Sequence, residues 1–546
     1  MSQAVPAQIE GQPVYILKEN VSRTTGDDAI TNTLSVSAVI GELVRSSLGP
    51  AGMNKMMVGT FGDITYSKSG ATILSEANIE HPVGKLYVDV AKTINKNEGD
   101  GASRAIYLAS RLVARGAELC GKGVHPAVVA EGFSRSCDIA TQLLPKLAIK
   151  VKPNDPVMLR NVVRTLITPA IGKSDLEAIE KCTDIAMQAA LKATQVGKSS
   201  YELDLDDISI VTKVGGQVLD SEFVDGLIIE KEVAAPGMPK QLKDARIALV
   251  DFPFEVKKTE ISAELEFNDP RTMMKMKDEE RKTVEEKVGK ILASGANVVF
   301  SQKGIDDKAL SMLSKNGVMA LKNVKRSDVE RLAKSTGAKI VNYYGDVSKD
   351  VLGGAHLIEE RKYEDEKLVV VEGASKSKAV AILLRGVSKE SVKESERAIK
   401  KGLSAVKMVY EEPKVVPGAG AELLEMATRL HRLSSKTKGE ASLAMEAFSE
   451  ALFDLVQAFA ANSGMNVIKT LAGLRVSHSK PSGKSIGIDS VEGNTVDARK
   501  KGILEPIKSL RVMLESATEL SSVLLRVDDM LLSTKLPESK GAPGRR

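Results

Sequence analysis

The sequence has 546 residues, a length that allows two to four domains with sizeable cores. Its 42% hydrophobic and 27% charged residues are typical of a globular protein. The net charge of +5 is spread over both signs and only 3% of residues are aromatic, so the composition does not favour a nucleic-acid partner.

The sequence shows no secretory signal and no run of apolar residues long enough to cross a membrane, so no membrane partner is expected. Cys120, Cys137 and Cys182 are odd in number and follow no pairing pattern, which is typical of a reducing cytoplasm. The five histidines have no metal-ligand spacing and are interpreted as structural. Residues 533–546 are predicted to form a disordered tail.

The first predicted elements are a strand at 13–18 and a long helix that Asp28 caps and that stops at Gly49-Pro50. A hairpin is expected next. Its strands are predicted at 64–66 and 71–74, with residues 67–70 as the turn.

Two glycines surround one carboxylate at Gly99-Asp100-Gly101, immediately before an apolar-periodic run. The run predicts a helix that ends near Gly116 or Gly121. A glycine turn at a helix N-terminus exposes backbone N–H groups to an anion, and the carboxylate could hold a divalent cation that accompanies a phosphate. The alternative, an ordinary turn, stays open on these residues alone.

The predicted secondary structure changes twice after this helical part. Residues 152–156 indicate a boundary, and from Arg246 apolar strands alternate with amphipathic helices, which predicts an α/β domain. Within it, Asp269-Pro270 is predicted to open a helix that runs to about Ala293. Its methionines either pack locally or form an adaptable contact surface, and they are Met273, Met274 and Met276.

The residues after 405 are again predicted to be mostly helical, and another glycine turn, Gly418-Ala419-Gly420, precedes a helix there. The simplest arrangement is nested: the two chain ends form one mainly helical domain, and the mixed segment is inserted between them. The predicted fold class is therefore mixed α/β and multidomain.

Motifs along nearly the whole chain resemble the group II chaperonins, which comprise the archaeal thermosome and its eukaryotic cytosolic counterpart. Within that family the thermosome subunits are the nearer match. The motifs that carry the resemblance are Ser47-Leu48-Gly49-Pro50, Gly70-Ala71-Thr72-Ile73-Leu74, Ile79-Glu80-His81-Pro82, Gly99-Asp100-Gly101, Pro236-Gly237-Met238-Pro239, Leu384-Arg385-Gly386, Gly418-Ala419-Gly420-Ala421, Gly502-Ile503-Leu504-Glu505-Pro506 and Leu525-Arg526-Val527-Asp528-Asp529.

The resemblance implies three domains. A mainly helical equatorial domain would comprise residues 1–148 and 406–532, and a small intermediate domain residues 149–218 and 369–405. An α/β apical domain would comprise residues 219–368, with a helical lid protrusion at about 253–288. The family assembles homologous subunits into two stacked rings, which use ATP and Mg²⁺ to enclose and fold unfolded polypeptide.

The resemblance also implies a nucleotide site. The expected phosphate contacts are Leu48, Gly49, Pro50, Gly99, Asp100, Gly101, Ala102 and Ser103, with Asp100 as the Mg²⁺ ligand. The expected nucleoside contacts are Gly418, Ala419, Gly420 and Glu505.

Two positions depart from the family where its chemistry is expected. Lys68-Ser69-Gly70 stands where the family has Asn-Asp-Gly, and Lys401 stands where its water-activating aspartate is expected. A protonated lysine cannot accept a proton, and phosphoryl transfer depends on positioning and electrostatics. The resemblance therefore implies that Ser69 and Lys401 make the subunit bind nucleotide and hydrolyse it poorly or not at all.

Three alternatives remain at this stage. Lys401 could be offset by one position, a neighbour such as Glu394 or Glu396 could replace the aspartate, or the chain could be a structural or substrate-binding subunit of a hetero-oligomeric ring. Further changes erode the phosphate site: Ala102-Ser103-Arg104 stands where the family prefers threonines, and Ala51 where a lysine is common. A kinase or metabolic ATPase is disfavoured, because no Walker-type Gly-Lys-Thr/Ser run follows a strand.

Overall fold

The computed structural model of the chain describes residues 6–9, 12–15, 21–59, 62–197, 201–254, 270–363, 366–374 and 380–533. These residues form two compact units. The first comprises the chain ends, residues 1–174 with 412–546, and the second comprises residues 175–411.

The helices in the described part of the chain are mostly long and amphipathic. In chain order they are α1 (Asp27–Arg45), α2 (Gly70–Glu76), α3 (Pro82–Asn97), α4 (Ala102–Gly121), α5 (Pro126–Leu147), α6 (Pro156–Ile171), α7 (Leu176–Ala193), α8 (Pro270–Ser294), α9 (Asp307–Lys315), α10 (Arg326–Thr336), α11 (Lys389–Glu411), α12 (Ala421–Ser434), α13 (Glu440–Asn462), α14 (Val467–His478), α15 (Ala498–Lys501) and α16 (Ile507–Leu525).

The strands are short outside the second unit. In chain order they are β1 (Pro6–Ile9), β2 (Gln12–Tyr15), β3 (Val21–Thr25), β4 (Lys55–Val58), β5 (Ile64–Ser67), β6 (Ile149–Lys150), β7 (Gln195–Val196), β8 (Tyr201–Glu202), β9 (Ile208–Val214), β10 (Glu222–Val224), β11 (Gly226–Ile229), β12 (Gln241–Val250), β13 (Val298–Ser301), β14 (Met319–Leu321), β15 (Ile340–Val341), β16 (Gly353–Tyr363), β17 (Glu366–Ala374), β18 (Val380–Gly386), β19 (Lys414–Pro417), β20 (Ile486–Asp489), β21 (Asn494–Asp497), β22 (Leu504–Pro506) and β23 (Asp529–Ser533).

Helix α4 is the centre of the first unit. It packs against α1, α3, α13 and α16 and buries a broad apolar face among them. The apolar face of an amphipathic helix is directed at the core. Its N-terminus therefore lies at a fixed place among helices from both chain ends.

Two small sheets join the ends of the chain in this unit. Strand β19 pairs antiparallel with β22 on one side and β6 on the other, and β23 pairs with β3. These pairings bring Val416 opposite Glu505. The sheet thus fixes the register between the glycine turn after β19 and the segment before α16.

The second unit is built on a seven-stranded sheet in the order β11-β17-β16-β12-β13-β14, with β15 paired to β12. Strands β12, β13 and β14 are parallel, while β11, β17 and β16 are antiparallel neighbours. All four residues of β13 are buried, as expected for a parallel strand covered on both faces. A second sheet has the order β10-β18-β9, and α7 and α11 pack together in the same unit.

The structure confirms the mixed α/β, multidomain class and most predicted elements. Helix α4 ends at Gly121, and the alternation of strands and helices after Arg246 appears as predicted. Helix α8 runs from Pro270 to Ser294. The methionines near its start, most of the predicted lid segment before it and the predicted tail lie outside the residues or side chains that the structure describes.

The predicted hairpin is wrong. Strand β5 pairs with the preceding β4, and residues 71–74 lie in α2. Ala71, Ile73 and Leu74 are all buried, and one face of a helix can bury all three, whereas a strand would point Ile73 and Leu74 to opposite sides. The segment before the predicted hairpin supplies the partner strand instead.

The predicted cap of the first helix is also wrong. Helix α1 begins at Asp27, and Gly26, with φ of 58°, precedes it. The Gly26 carbonyl accepts the N–H groups of Ala29 and Ile30 at 3.0 and 3.2 Å. Asp28 therefore lies within the first turn, where a carboxylate still complements the helix dipole.

Cys120, Cys137 and Cys182 are all free. In the part of the chain that the structure describes, no helix is both long and apolar enough to cross a membrane.

Close packing of α5 on α13 predicts opposite effects for two glycine substitutions. A Cβ at Gly132 would overlap the Cβ of Ala444, whereas a Cβ at Gly121 would meet nothing within 4 Å. Gly132→Ala should lower the free energy of unfolding by about 1–3 kcal/mol through overpacking. Gly121→Ala should leave it unchanged or raise it by up to about 1 kcal/mol.

Urea unfolding of the two variants beside the parent chain measures both effects. Equal stability of Gly132→Ala and Gly121→Ala would show that the two helices are not in such close contact.

Candidate nucleotide site

The predicted phosphate turn joins α3 to α4. Gly99 and Gly101 have φ of 73° and 91°, values that L side chains rarely adopt, and Gly101 is the residue before the first turn of α4. The first-turn N–H groups, which include those of Ala102 and Ser103, have no partner within the helix. This turn has the geometry of an anion site at a helix N-terminus.

Ser103 ties this turn to Ser69. The Ser103 hydroxyl accepts a hydrogen bond from the Gly70 N–H at 2.8 Å, and Ser69 is the residue before α2. A Cβ at Gly70 would lie 2.9 Å from Cα of Ser103, so the contact requires glycine. The structure therefore brings Ser69, the position where the resemblance implies a carboxylate, next to the start of α4.

The predicted phosphate loop at residues 48–50 follows α1. Leu48 is buried, and its carbonyl accepts a hydrogen bond from the Asn462 side chain at 2.9 Å. Gly49 has φ of 77° and precedes Pro50. The amide of Asn462, at the end of α13, thus fixes the loop.

The predicted nucleoside turn follows β19. The Gly418 N–H donates to the Ile503 carbonyl at 2.9 Å, and a Cβ at Gly418 would lie 3.1 Å from Oε1 of Glu505. Ala419 and Gly420 have φ of 60° and 75°. Gly418 is therefore in close contact with Glu505, as the β19–β22 register requires.

One aromatic ring connects the two loops. A Cβ at Gly49 would lie 3.4 Å from Cδ1 of Phe459, and a Cβ at Gly420 would lie 3.4 Å from Cδ2 of the same ring. The loop at residues 48–50 and the turn at residues 418–420 therefore flank Phe459.

Arg104 connects the remaining parts of the site. Its Nη2 lies 3.0 Å from Oδ2 of Asp100, and its Nη1 lies 2.5 Å from Oε2 of Glu505. Nη2 is also 3.5 Å from the Ser509 hydroxyl. The three charged side chains are only 12–16% exposed. Burial disfavours the charge of the guanidinium, but the Glu505 and Asp100 carboxylates outweigh that cost and raise the pKa of Arg104.

Glu422 is a buried acid in the first turn of α12. It is 2% exposed, and neither of its carboxyl oxygens has a hydrogen-bond partner on another described residue. Burial raises the pKa of the Glu422 carboxyl well above its usual range, and the Glu505 carboxylate raises it further, while Arg104 opposes the shift. The surroundings of Glu422 therefore favour its neutral form.

A magnesium ion has few protein ligands here. Asp100 is the carboxylate of the turn, and Arg104 already holds one of its oxygens. In the described ranges, no group of three or more His, Cys, Asp or Glu side chains could hold a metal ion. The described side chains therefore do not form a metal site by themselves, and a magnesium ion here would need oxygens from a bound nucleotide and would compete with Arg104 for Asp100.

Lys401 lies in the second unit. It is half-buried on α11, the helix that also carries Glu394 and Glu396. Both glutamates are in ion pairs, Glu394 with Arg397 and Glu396 with Lys400 at 2.6 Å. Neither carboxylate is available as a base without giving up its pair.

Sequence reasoning missed three residues of the site. Phe459 and Glu422 carry no motif, although a glutamate two residues after a glycine turn falls within the first turn of a helix. Arg104 was visible only as a departure from the family's threonines. Its pairing with Glu505 spans 401 positions and leaves no local signal.

Comparison with known proteins agrees with the resemblance. The model of the TCP-1/cpn60 chaperonin family matches residues 40–535. The thermosome subunit beta of Archaeoglobus fulgidus is 40% identical over 538 residues, which cover 98% of each chain. The thermosome subunit alpha of the same organism is 39% identical over 539 residues, again 98% of each chain. The thermosome subunit beta of Thermococcus kodakarensis is 40% identical over 98% of this chain and 97% of its own.

The buried acid predicts a specific pH dependence of stability. The folded chain keeps the Glu422 proton at a pH where the unfolded chain has released it. The contribution of Glu422 to the free energy of unfolding is therefore complete below the unfolded pKa of about 4.3, and it is lost as pH rises through the folded pKa. Glu422→Gln cannot ionise, and it should gain stability relative to the parent as pH rises, by at most about 1.4 kcal/mol per pH unit.

Thermal unfolding between pH 5 and pH 9 measures the difference. Glu131→Gln, at an exposed position on α5, is the matched control and should follow the parent curve. Parallel curves for Glu422→Gln and the parent would contradict a neutral buried Glu422.

Proposed function

The chain belongs to the TCP-1/cpn60 chaperonin family, and we propose that it is a ring subunit that binds nucleotide but hydrolyses it poorly or not at all. The observation that carries the proposal is a cluster in the first unit. The glycine turns are arranged around the start of α4, while Ser69 stands where a carboxylate would organise the reaction.

The domain assignment is part of the proposal. Residues 1–148 and 406–532 form the equatorial domain, 149–218 and 369–405 the intermediate domain, and 219–368 the apical domain with its lid at about 253–288. The strand pairing of β23 with β3 supports a shared equatorial core from both chain ends. The seven-stranded sheet of the second unit supports an α/β apical domain.

Nucleotide binding is supported by the glycine turns. Gly101 and Gly420 have positive φ and each directly precedes a helix, where first-turn N–H groups are free to bind an anion. Gly49 also has positive φ and lies in the loop that follows α1. Contacts through Phe459, Glu505 and Ser103 hold these turns in one region. ATP or ADP is the ligand that suits both the turns and the family.

Hydrolysis lacks its usual groups. A general base must be able to take a proton near the working pH, and neither Ser69 nor the ammonium of Lys401 can do so. Base catalysis contributes roughly 10²–10⁴-fold to a rate, so its loss leaves binding without useful turnover. The Glu394 and Glu396 ion pairs disfavour a substitute from the same helix.

The proposed partners follow from membership of the chaperonin family. Relatives named as alpha and beta subunits occur together in one organism, which supports a place for this chain among homologous subunits in a double ring. Unfolded polypeptide is the proposed substrate of the apical domain, and the cytoplasm the proposed location. In such a ring, a subunit without turnover would serve structure or substrate binding while active neighbours hydrolyse ATP.

A paired assay on the purified chain tests this function. We expect ATP to bind and phosphate release under single-turnover conditions to be near background. Lys401→Asp combined with Ser69→Asp should raise release by on the order of 10²-fold or more, because it restores both carboxylates.

Lys401→Asn combined with Ser69→Asp is the matched control, since asparagine has the size of aspartate but cannot act as a general base. It should leave release near background. Rapid release from the unmodified chain would overturn the proposal, as would failure to bind ATP at all.

A further inference from the structure

We propose that Arg104 is a built-in cation that replaces magnesium at Asp100, so that nucleotide binds to this subunit without a divalent cation. The inference rests on the proposed nucleotide binding and goes beyond it, because it assigns the cation of the site to the chain itself.

The guanidinium lies where it can do this. It contacts Asp100 at 3.0 Å and Glu505 at 2.5 Å, and its side chain is only 13% exposed. Two carboxylates fix its position from opposite ends of the chain. An arginine so placed stays charged at every relevant pH and has a fixed geometry.

The same contacts work against a metal ion. A magnesium ion on Asp100 would sit beside the guanidinium, and like charges repel strongly where water is largely excluded. Moving Arg104 away would leave Glu505 without its partner in a nearly buried place. The cation already present therefore excludes the one that would come with ATP.

The guanidinium also has capacity for a phosphate. It carries five N–H groups, and its contacts with Asp100, Glu505 and Ser509 use three of them. The remaining N–H groups can donate to a phosphate oxygen at the N-terminus of α4. The helix dipole also favours the negative charge of a phosphate there.

The substitutions around the turns change charge in one direction. The family's Asn-Asp-Gly is Lys68-Ser69-Gly70 here, which removes a carboxylate and adds a lysine, and Arg104 stands where a threonine is expected. Glu422, on α12, interacts electrostatically with Arg104 and Glu505, and its burial favours the neutral form of its carboxyl. The region is thus less suited to recruiting a metal ion and more suited to neutralising phosphate directly.

Fluorescence anisotropy of a labelled ADP on the purified full-length chain tests the inference, because ADP binding does not depend on turnover. For the parent chain, the Kd in magnesium and the Kd in EDTA should agree within about threefold. For Arg104→Thr, ADP should bind at least about tenfold more tightly in magnesium than in EDTA, since Asp100 is then free for the metal.

Arg111→Thr is the matched control. Arg111 lies two turns further along α4 and also pairs with a carboxylate, that of Asp454 at 2.9 Å. For this variant, as for the parent chain, the Kd of ADP in magnesium and in EDTA should agree within about threefold. Circular dichroism of all three chains verifies that they are folded.

The outcomes separate the two proposals. If the parent chain itself binds ADP at least tenfold more tightly with magnesium, the role of Arg104 is overturned while nucleotide binding stands. If the parent binds ADP in neither condition, the proposed function is overturned as well. The comparison on the parent chain remains decisive even if Arg104→Thr does not fold.

Discussion

The pairing of Arg104 with Asp100 and Glu505 joins parts of the chain that are 401 positions apart. It sets the glycine turn before α4 against the segment that leads into α16, while the β19–β22 pairing places Gly418 on the same glutamate. Removing one member of such a nearly buried group leaves the others uncompensated. Arg104 therefore links the glycine turn before α4 to the segment that leads into α16.

In the proposed function, nucleotide binding and nucleotide hydrolysis depend on different parts of the site. Binding would use the backbone turns, where Gly49, Gly101 and Gly420 have positive φ. In the proposed function, Ser69 and Lys401 provide no base, while the structure pairs Arg104 with the carboxylate of Asp100. Backbone turns bind and charged side chains catalyse, so binding can persist when catalysis is lost.

Local patterns in the sequence predicted what local forces determine. The apolar period after Gly101 gave α4 and its end, and continuous apolar runs gave buried strands such as β13. The nesting of a mixed segment between helical ends appears in the structure as two compact units, whereas the boundaries of three named domains stay a prediction.

The wrong and missed predictions concern residues whose structure depends on contacts with distant parts of the chain. Residues 71–74 could form a strand or a helix on local pattern, and close contact of Gly70 with Ser103 settles the choice. The partners of Arg104 and the burial of Glu422 depend on tertiary structure in the same way. No spacing in the sequence reveals that an arginine shares two carboxylates.

An experimental structure of the chain incubated with ATP and magnesium would test the central claim most directly. The account predicts an intact triphosphate on the glycine turns, with Arg104 still between Asp100 and Glu505 and no metal ion on Asp100. A cleaved nucleotide, or a magnesium ion bound to Asp100 with Arg104 displaced, would contradict it.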